Sequence, residues 1–409
     1  MFLGVVIAPL IQSTVIEKST IPISNGKTLY VGGSGEGNYT RIQDAIDNTS
    51  NGDTVFVYPG HYIENLIVDK SIKLIGADYH STIINGDYKD NVTKLTADGV
   101  EISSFSIIYS ITGEFLSYGI GIYSSNNIIK DNAIFLNNFG IYIDYYSSNN
   151  KILDNIILSN NYYGIMITSN YSWGNHTVSN NRIVDNTLGV MSYRSYGNSF
   201  YNNEIWMNTE YGIELLESEK NTIYDNFIHN NTLDGIYFLN ARNNNISINN
   251  IENNQDKGIH FLYSKNNTIS NNVISNNNYG IFLDGFSSAN TIIGNNITSS
   301  NRSSIYLDCS DGNTITGNTI SNNDRGVFIN QSWENIIQKN NFLNNIHDSS
   351  FLYNLNQILT LKRNNWRQNY WNRPRLLPKL IFGEFIIGST YTIPWINIDC
   401  RPAKEPYDI

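Results

Sequence analysis

One stretch decides the fold: Asn313-Thr-Ile-Thr-Gly-Asn318-Thr-Ile320, followed after a polar turn by Gly326-Val-Phe-Ile329. Two close copies precede it, one from Asn290 to Leu307 and one from Asn267 to Leu283. Aligning the second asparagine of each copy gives a spacing of 22 to 26 residues, which is typical of a solenoid repeat. The aligned residues are Asn132, Asn155, Asn181, Asn203, Asn226, Asn249, Asn272, Asn295, Asn318 and Asn340.

Each copy carries short strands rather than a helix. In Gly235-Ile-Tyr-Phe238 the apolar residues alternate, so Ile236 and Phe238 share one face while Tyr237 points the other way. Clusters of Asn, Ser, Asp and Gly separate such runs and supply the hydrogen bonds that turns need. Three strands and three turns fill one period. The pattern therefore predicts one coil of a parallel β-helix per repeat.

The asparagine column predicts an inward ladder of side-chain amides. Coils stack about 4.8 Å apart, so identical amides at one turn can donate to and accept from one another. A buried amide without its partner would cost about 1–3 kcal/mol. The alternative is that these asparagines are solvated turn residues. The ladder is expected to include Asn155, Asn203, Asn226, Asn249, Asn272, Asn295 and Asn318.

The chain enters its coils through Gly52-Asp-Thr-Val-Phe-Val-Tyr-Pro-Gly-His-Tyr-Ile-Glu64, whose last residue is expected to pair locally. Before this phrase, Thr40 and Gln43 predict a capping box at the start of a helix with an apolar face beginning at Ile42. We expect this helix to cover the open end of the solenoid, where apolar side chains and strand edges would otherwise face water.

The composition changes after Asn345. Five of the eight prolines lie in the last 36 residues, and four of the six tryptophans follow Asn330. The sequence thus predicts a leader or flexible segment at 1–26, a β-helix domain at 27–345, and a C-terminal cap and tail at 346–409.

The start of the chain bears on where the protein works. The apolar run from Met1 to Ile11 has no Lys or Arg ahead of it, so it looks like a truncated or unusual secretory leader, too short for a membrane span. Together with the composition, this run predicts a secreted or cell-surface protein. In such a protein Cys309 and Cys400 could form a disulfide, whereas two distant cysteines make a metal site improbable.

Charge excludes one class of partner. The 409 residues carry a formal net charge of −10, and only 15% of them are charged. A basic patch and a recognition helix are both missing, so we expect no nucleic-acid partner. A solenoid grows along one axis, so a chain of this length can still be one cooperative body.

The repeat resembles the right-handed parallel β-helix proteins, in particular the NosD-like family of carbohydrate-binding and sugar-hydrolase repeats. The resemblance rests on the phrases N-T-I-x-x-N-x-I and G-I-x-L and on the segment 52–64, and covers about residues 28–345. It implies an all-β solenoid of about 11–13 coils, with a helical N-terminal cap and a non-repeat C-terminal cap. It implies function only weakly, since β-helices host lyases, hydrolases, esterases, adhesins and accessory proteins.

Catalytic and metal-binding patterns of related enzymes are sparse. The chain has no Asp-Asp pair, no Gly-His-Gly and no Arg-Ile-Lys of the kind that β-helix pectinases use. The repeat register places Asp284 and Asp308 outward in adjacent coils, where they could hold Ca²⁺ or shift each other's pKa; no other cofactor is expected. NosD-like proteins imply help in maturing a copper enzyme, which needs soft or imidazole ligands. The histidines are scattered, and only Met166 and Met191 fall in register.

An outward row rich in aromatic residues lies two positions beyond the glycine of each coil. Contiguous exposed aromatics tend to mark a binding surface, and Glu214, Asp284 and Asp308 could take hydrogen bonds from sugar hydroxyls. Alternatively, the aromatics stabilise the sheet through cross-strand packing, or the tail or a second subunit covers them. The row is Tyr142, Met166, Met191, Glu214, Tyr237, His260, Phe282, Tyr306 and Phe328.

The sequence therefore predicts a secreted or cell-surface β-helix that binds carbohydrate or another cell-surface polymer without catalysis. A polysaccharide lyase or hydrolase with a degenerate site is the first alternative. A NosD-like copper accessory protein is the second.

Overall fold

The structure is a computed structural model that describes residues 26–110, 117–170, 174–354, 362–387 and 391–409. These residues wind into three long sheets, A, B and C, and each coil contributes one strand to each sheet. The strands pair in parallel from coil to coil, so the predicted all-β parallel β-helix is confirmed. Sheet B has 14 strands, which gives about 14 coils where the repeat pattern predicted 11–13.

The strands are numbered β1–β44 along the chain. Sheet A consists, in spatial order, of β1 (Thr28–Val31), β2 (Thr54–Val57), β5 (Lys73–Gly76), β8 (Glu101–Ser103), β11 (Ile128–Lys130), β14 (Lys151–Leu153), β17 (Thr177–Ser179), β20 (Ser199–Tyr201), β23 (Thr222–Tyr224), β26 (Asn245–Ser247), β29 (Thr268–Ser270), β32 (Thr291–Ile293), β35 (Thr314–Thr316), β38 (Ile336–Gln338) and β41 (Asn365–Arg367). Sheet B consists of β3 (Gly60–Ile63), β6 (Thr82–Asn85), β9 (Ser106–Ile108), β12 (Ala133–Phe135), β15 (Ile156–Leu158), β18 (Arg182–Val184), β21 (Glu204–Trp206), β24 (Phe227–His229), β27 (Asn250–Glu252), β30 (Val273–Ser275), β33 (Asn296–Thr298), β36 (Thr319–Ser321), β39 (Asn341–Leu343) and β42 (Tyr370–Trp371).

Sheet C carries the outward row of interest. It consists of β4 (Leu66–Val68), β7 (Thr93–Leu95), β10 (Tyr118–Ile122), β13 (Phe139–Ile143), β16 (Tyr163–Thr168), β19 (Leu188–Tyr193), β22 (Ile213–Leu216), β25 (Ile236–Leu239), β28 (Lys257–Leu262), β31 (Tyr279–Asp284), β34 (Ser303–Asp308), β37 (Arg325–Asn330), β40 (His347–Asn354), β43 (Lys379–Ile387) and β44 (Tyr391–Asp399). The last pair is antiparallel, so β43 and β44 form a hairpin at the C-terminal end of the sheet.

The core is a stack of inward aliphatic and aromatic side chains. In one coil, Ile223 of sheet A, Ile228 of sheet B and Ile236 of sheet C are fully shielded from solvent. Identical positions in the next coils lie directly against them, because Ile236 pairs with Ile259 and Ile259 with Ile281. Burying a side chain of this size stabilises the fold by about 1.5–3 kcal/mol, so repetition over the coils supplies the main driving force.

The expected asparagine ladder is confirmed. Asn226 donates from Nδ2 to Oδ1 of Asn249 at 2.9 Å, and its backbone N–H reaches the same oxygen at 3.0 Å. The same Nδ2 also donates to the carbonyl oxygens of Phe200 and Tyr224. Each amide is buried and every ladder bond runs toward the C-terminus, so the column is a polarised chain of hydrogen bonds rather than a row of solvated turns.

Two further ladders were missed, because the alignment followed only one asparagine of each repeat. One ladder lies at the turn just before the sheet A strand of each coil, where His176 replaces one asparagine. The other lies at the turn just after the sheet B strand, where Ser300 replaces one asparagine. The first includes Asn127, Asn150, Asn198, Asn221, Asn244, Asn267, Asn290, Asn313, Asn335 and Asn364. The second includes Asn137, Asn160, Asn186, Asn208, Asn231, Asn254, Asn277, Asn323 and Asn345.

The helix α1 (Ile42–Asp47) packs against the first coils through buried Ile42, Ala45 and Ile46. The predicted capping box is wrong: Arg41 is the N-cap residue and makes no side-chain cap. Instead, the carboxylate of Glu64 accepts the backbone N–H groups of Ile42 at 2.8 Å and Gln43 at 3.0 Å. A carboxylate from the next coil therefore satisfies the free N–H groups that begin the helix, which agrees with the local pairing expected of Glu64.

Parallel pairing runs past Asn345 through β40, β41 and β42 before the β43–β44 hairpin closes the sheet. Cys309 and Cys400 are both free thiols, so the disulfide that was considered is not formed. Within the described ranges, no helix is long and apolar enough to cross a membrane. The apolar run that suggested a leader lies outside the described residues.

Candidate functional site

The outward row of sheet C has the register that the sequence predicted. Tyr237 pairs with His260, His260 with Phe282, Phe282 with Tyr306, and Tyr306 with Phe328. On the N-terminal side the same row continues backward through Glu214, Met191, Met166 and Tyr142.

The rings of this row are not openly exposed, because they stack on one another. Ring centroids are 5.0 Å apart for Tyr237 and His260, 5.2 Å for His260 and Phe282, 4.6 Å for Phe282 and Tyr306, and 5.0 Å for Tyr306 and Phe328. Tyr237 is buried and the others are half-buried. Most ring faces are thus already in contact with a neighbouring ring, so less aromatic surface is free in the middle of the row than at its ends.

The stack is broken at its C-terminal end. Phe328 pairs with Ser350, and the pairing of Phe351 with Gly383 places Phe382 beside Ser350 in the next strand. Phe328 and Phe382 are therefore two strand spacings apart, about 9.6 Å, with only a serine between them. We call this gap the missing rung.

The missing rung opens into a cavity of about 620 Å³ on the outer face of sheet C, lined by residues of β37, β40, β43 and β44. Phe382 is 63% exposed, and Ile396, its register partner on the other hairpin strand, is 44% exposed, so apolar surface faces this space. Polar groups complete the wall, since Arg325, Ser350 and Glu384 also line the cavity. The Ser350 hydroxyl is shielded from solvent and has no hydrogen-bond partner among the described residues.

A group of titratable side chains lies in the middle of the row. His260 Nδ1 is 2.9 Å from Oδ2 of Asp234, whose Oδ1 accepts the backbone N–H of Lys257 at 3.0 Å. Because a carboxylate only accepts, Nδ1 carries the proton in this contact. The Nε2 atom is shielded and has no partner among the described residues. Sequence reasoning missed Asp234 because it precedes the strand and meets His260 only across a coil.

Glu214 and Tyr237 extend this group toward the N-terminus. Burial, reinforced by the charge of Glu210, raises the pKa of Glu214 to about 7. Burial also raises the pKa of Tyr237 to about 12, with further contributions from the charges of Glu214 and Asp234. A carboxyl group that titrates near neutral pH, two coils from an imidazole oriented by a carboxylate, can give or take a proton.

The two acids considered for calcium occupy adjacent coils, because Leu283 pairs with Leu307 and the acids follow directly. Asp308 accepts a hydrogen bond from Asn330 Nδ2 at 2.8 Å. In the part of the chain that the structure describes, no three His, Cys, Asp or Glu side chains converge to hold a metal ion. Ca²⁺ takes six to eight oxygen ligands, so an ion bound by Asp284 and Asp308 would draw most ligands from backbone and water.

Met166 and Met191, the two candidate copper ligands, lack the further ligands of a copper site. Met166 and Met191 are register partners, and Met191 is buried. Their neighbours in the row are Tyr142 and Glu214, neither of which is a soft ligand. A Cu(I) centre needs thiolate, thioether or imidazole donors, and the adjacent row positions add none to the two thioethers. These positions of the row therefore do not fit copper.

Comparisons with known proteins agree with this architecture. A family model described as "Periplasmic copper-binding protein (NosD)" matches residues 46–234 and 229–392. A "Cell surface glycoprotein" of Methanothermus fervidus is 35% identical over 96 residues, a segment that covers 23% of this chain and spans only 16% of the glycoprotein.

Among solved structures, the periplasmic alginate epimerase AlgG superposes with a TM-score of 0.52 at 17% identity, covering 80% of this chain and 83% of that one. The mannuronan C-5 epimerase AlgE6 A-module of Azotobacter vinelandii gives 0.50 at 16% identity, covering 75% and 89%. At such identities these likenesses show the fold alone. The family model, by contrast, covers well over half of the chain, and the chain therefore belongs to the NosD family of parallel β-helix proteins.

Proposed function

We propose that this protein binds a carbohydrate polymer on the outer face of sheet C, with one sugar ring held in the missing rung between Phe328 and Phe382. The observation that carries this proposal is the gap at Ser350, which interrupts an otherwise continuous aromatic stack. Two rings about 9.6 Å apart leave the thickness of one further ring between them.

The lining of the gap suits a sugar. Pyranose rings combine an apolar face with a rim of hydroxyl groups, and a site for them needs flat apolar walls and a few polar partners. Phe328, Phe382 and Ile396 supply the walls, while Ser350 and Glu384 supply hydrogen-bonding groups. Because the Ser350 hydroxyl is shielded without a partner, a ligand hydroxyl would remove the cost of leaving it unsatisfied.

We also propose that the protein works at the cell surface or outside the cell. Two observations support this location: the matching family is described as periplasmic, and a relative over part of the chain is a cell-surface glycoprotein. A polymer of the cell envelope would be within reach there.

A polysaccharide lyase or hydrolase is the second candidate function. It is favoured by the contact of His260 with Asp234 and by the raised pKa of Glu214, a carboxyl group on the same face that can donate a proton near neutral pH. The binding proposal predicts that polygalacturonate, pectin and alginate release neither reducing ends nor unsaturated products. Product that forms with the native chain and is lost in His260→Gln would establish the second candidate.

Hydroxyl-radical footprinting tests the location of binding. The protein is oxidised with and without each polysaccharide that an affinity gel retains, and the side chains are quantified by mass spectrometry. We expect bound polymer to protect Phe328 and Phe382, while the exposed Tyr146 serves as the unprotected control. Retention that protects Tyr146, or a face other than sheet C, would contradict the proposal.

A further inference from the structure

We propose that the carbohydrate is acidic, and that Arg302 and Arg325 bind the carboxylate of a uronic acid residue next to the missing rung. This proposal rests on the proposed carbohydrate binding and names the class of ligand that the site selects. Two arginines carry this proposal. Both line one cavity beside the aromatic row, and neither forms a salt bridge within the described part of the chain.

Arg325 is placed to act at the centre of this surface. It lines the cavity of about 620 Å³ at the missing rung, and it also lines an adjoining cavity of about 280 Å³ on the N-terminal side. Its guanidinium carbon lies 4.4 Å from the ring centroid of Phe328, so the guanidinium covers part of that ring and presents its charge at the aromatic wall. The Nε atom is shielded from solvent and has no hydrogen-bond partner among the described residues.

Arg302 approaches the same depression from the preceding coil. The backbones of the two residues are joined by a hydrogen bond, in which the N–H of Arg325 donates to the carbonyl oxygen of Arg302 at 3.0 Å. Arg302 donates from Nη1 to Tyr279 Oη at 3.1 Å, which fixes the direction of its guanidinium. Both arginines line the adjoining cavity with Tyr306 and Phe328, so a sugar packed on Phe328 would bring its ring substituent between them.

The charges favour a carboxylate over a neutral hydroxyl at this point. Asp324 is the one acid on the lining of the adjoining cavity, against two arginines, so that cavity is net positive although Glu384 lines the cavity at the missing rung and the whole chain carries −10. The planar fork of a guanidinium matches a carboxylate with two parallel hydrogen bonds. Charges far along the solenoid are screened beyond about 10 Å at 0.1 M salt, so they do not prevent binding of an acidic sugar.

The test compares polymers that differ only in their carboxyl groups. Polygalacturonate, alginate and glucuronan are each measured beside a derivative whose carboxyl groups have been reduced to alcohols. We expect the acid form of the retained polymer to bind with a dissociation constant about tenfold lower or better. The double variant Arg302→Gln with Arg325→Gln should bind acid and reduced forms alike.

Arg367→Gln is the matched control, because Arg367 lies on sheet A and donates to Gln338 Oε1. It should keep the preference for the acid form, and thermal unfolding of each variant checks that it is folded. Equal affinity of the native chain for acid and reduced forms, or a preference that survives in the double variant, would overturn this inference and leave carbohydrate binding intact. If no polymer of either form is retained, the proposed function itself fails, and the inference with it.

Discussion

Asn369 donates from Nδ2 to Oδ2 of Asp399 at 3.2 Å, at the point where the central asparagine ladder would otherwise stop. The ladder runs through each amide toward the C-terminus, so its last member needs a partner that only accepts. Asp399 comes from the hairpin strand β44, is fully buried, and also accepts from Trp371 Nε1 and from the backbone N–H groups of Gln368 and Arg401. A carboxylate thus ends the column and joins the hairpin to the last coil.

The first prediction concerns this terminal carboxylate. Asp399→Asn keeps the size of the side chain but turns an N–H₂ group toward N–H donors, so we expect the free energy of unfolding to fall by about 2–4 kcal/mol. Urea melts measure the loss, and Asp408→Asn, on an exposed residue, is the control. An unchanged melt for Asp399→Asn would show that the carboxylate does not terminate the ladder.

The second prediction concerns the middle of the same ladder. Asn226→Leu removes the oxygen that accepts the backbone N–H and the Nδ2 of Asn203, and it removes the donor for Asn249. We expect a loss of about 1–3 kcal/mol in urea melts. Asn245→Leu is the control, because Asn245 lies outward on sheet A in the next coil. A stability equal to or above that of the native chain would mean that the ladder is not stabilising.

The third prediction is a dependence of stability on pH through His176. Burial lowers the pKa of His176 to about 4, against about 6.5 in the unfolded chain. Between these values the unfolded state binds more protons, so stability falls as the pH drops from 6.5 toward 4. The full effect is about 3 kcal/mol.

His176→Asn continues the ladder with an amide and removes the buried imidazole. The difference in unfolding free energy between His176→Asn and the native chain should therefore grow as the pH is lowered from 7 to 4.5. His347→Asn, on an exposed histidine, is the control variant. A difference that stays constant over this range would contradict the depressed pKa.

The fourth prediction is that copper binds weakly and without a defined stoichiometry. Met166 and Met191 have no thiolate, thioether or imidazole donor beside them in the adjacent positions of the row, so calorimetry with Cu(I) under reducing conditions should give the same weak heats for the native chain, Met166→Ala and Met191→Ala. Tight binding of one ion that either variant abolishes would restore the role that the family description suggests.

The repeat register was predictable to the residue because the repeat is enforced sterically. At Gly258 an added Cβ would lie 2.7 Å from the carbonyl oxygen of Gly280, so glycine is favoured at this position of the coil, although Ser304 occupies it in one coil. Counting two residues on from this position correctly paired Tyr237 with His260, and His260 with Phe282. The ladder followed from the same regularity.

Features that depend on contacts outside the repeat were not predictable. Asp234 precedes its strand and has no counterpart in the pattern, so its bond to His260 follows only from the stacking of coils. The missing rung depends on how β43 pairs with β40, which composition alone does not reveal. The ring stacking that covers most faces of the row depends on side-chain orientation, which the spacing of residues in the sequence does not reveal.

Filling the missing rung tests the central proposal most directly. Ser350→Phe places a ring between Phe328 and Phe382, so it should extend the stack, leave thermal stability unchanged or raised, and abolish retention on the polysaccharide that the native chain binds. Ser247→Phe is the matched control, since Ser247 follows the stacked pair Tyr201 and Tyr224 on sheet A and should retain binding. Retention by a folded Ser350→Phe variant equal to that of the native chain would contradict binding of a sugar at this site.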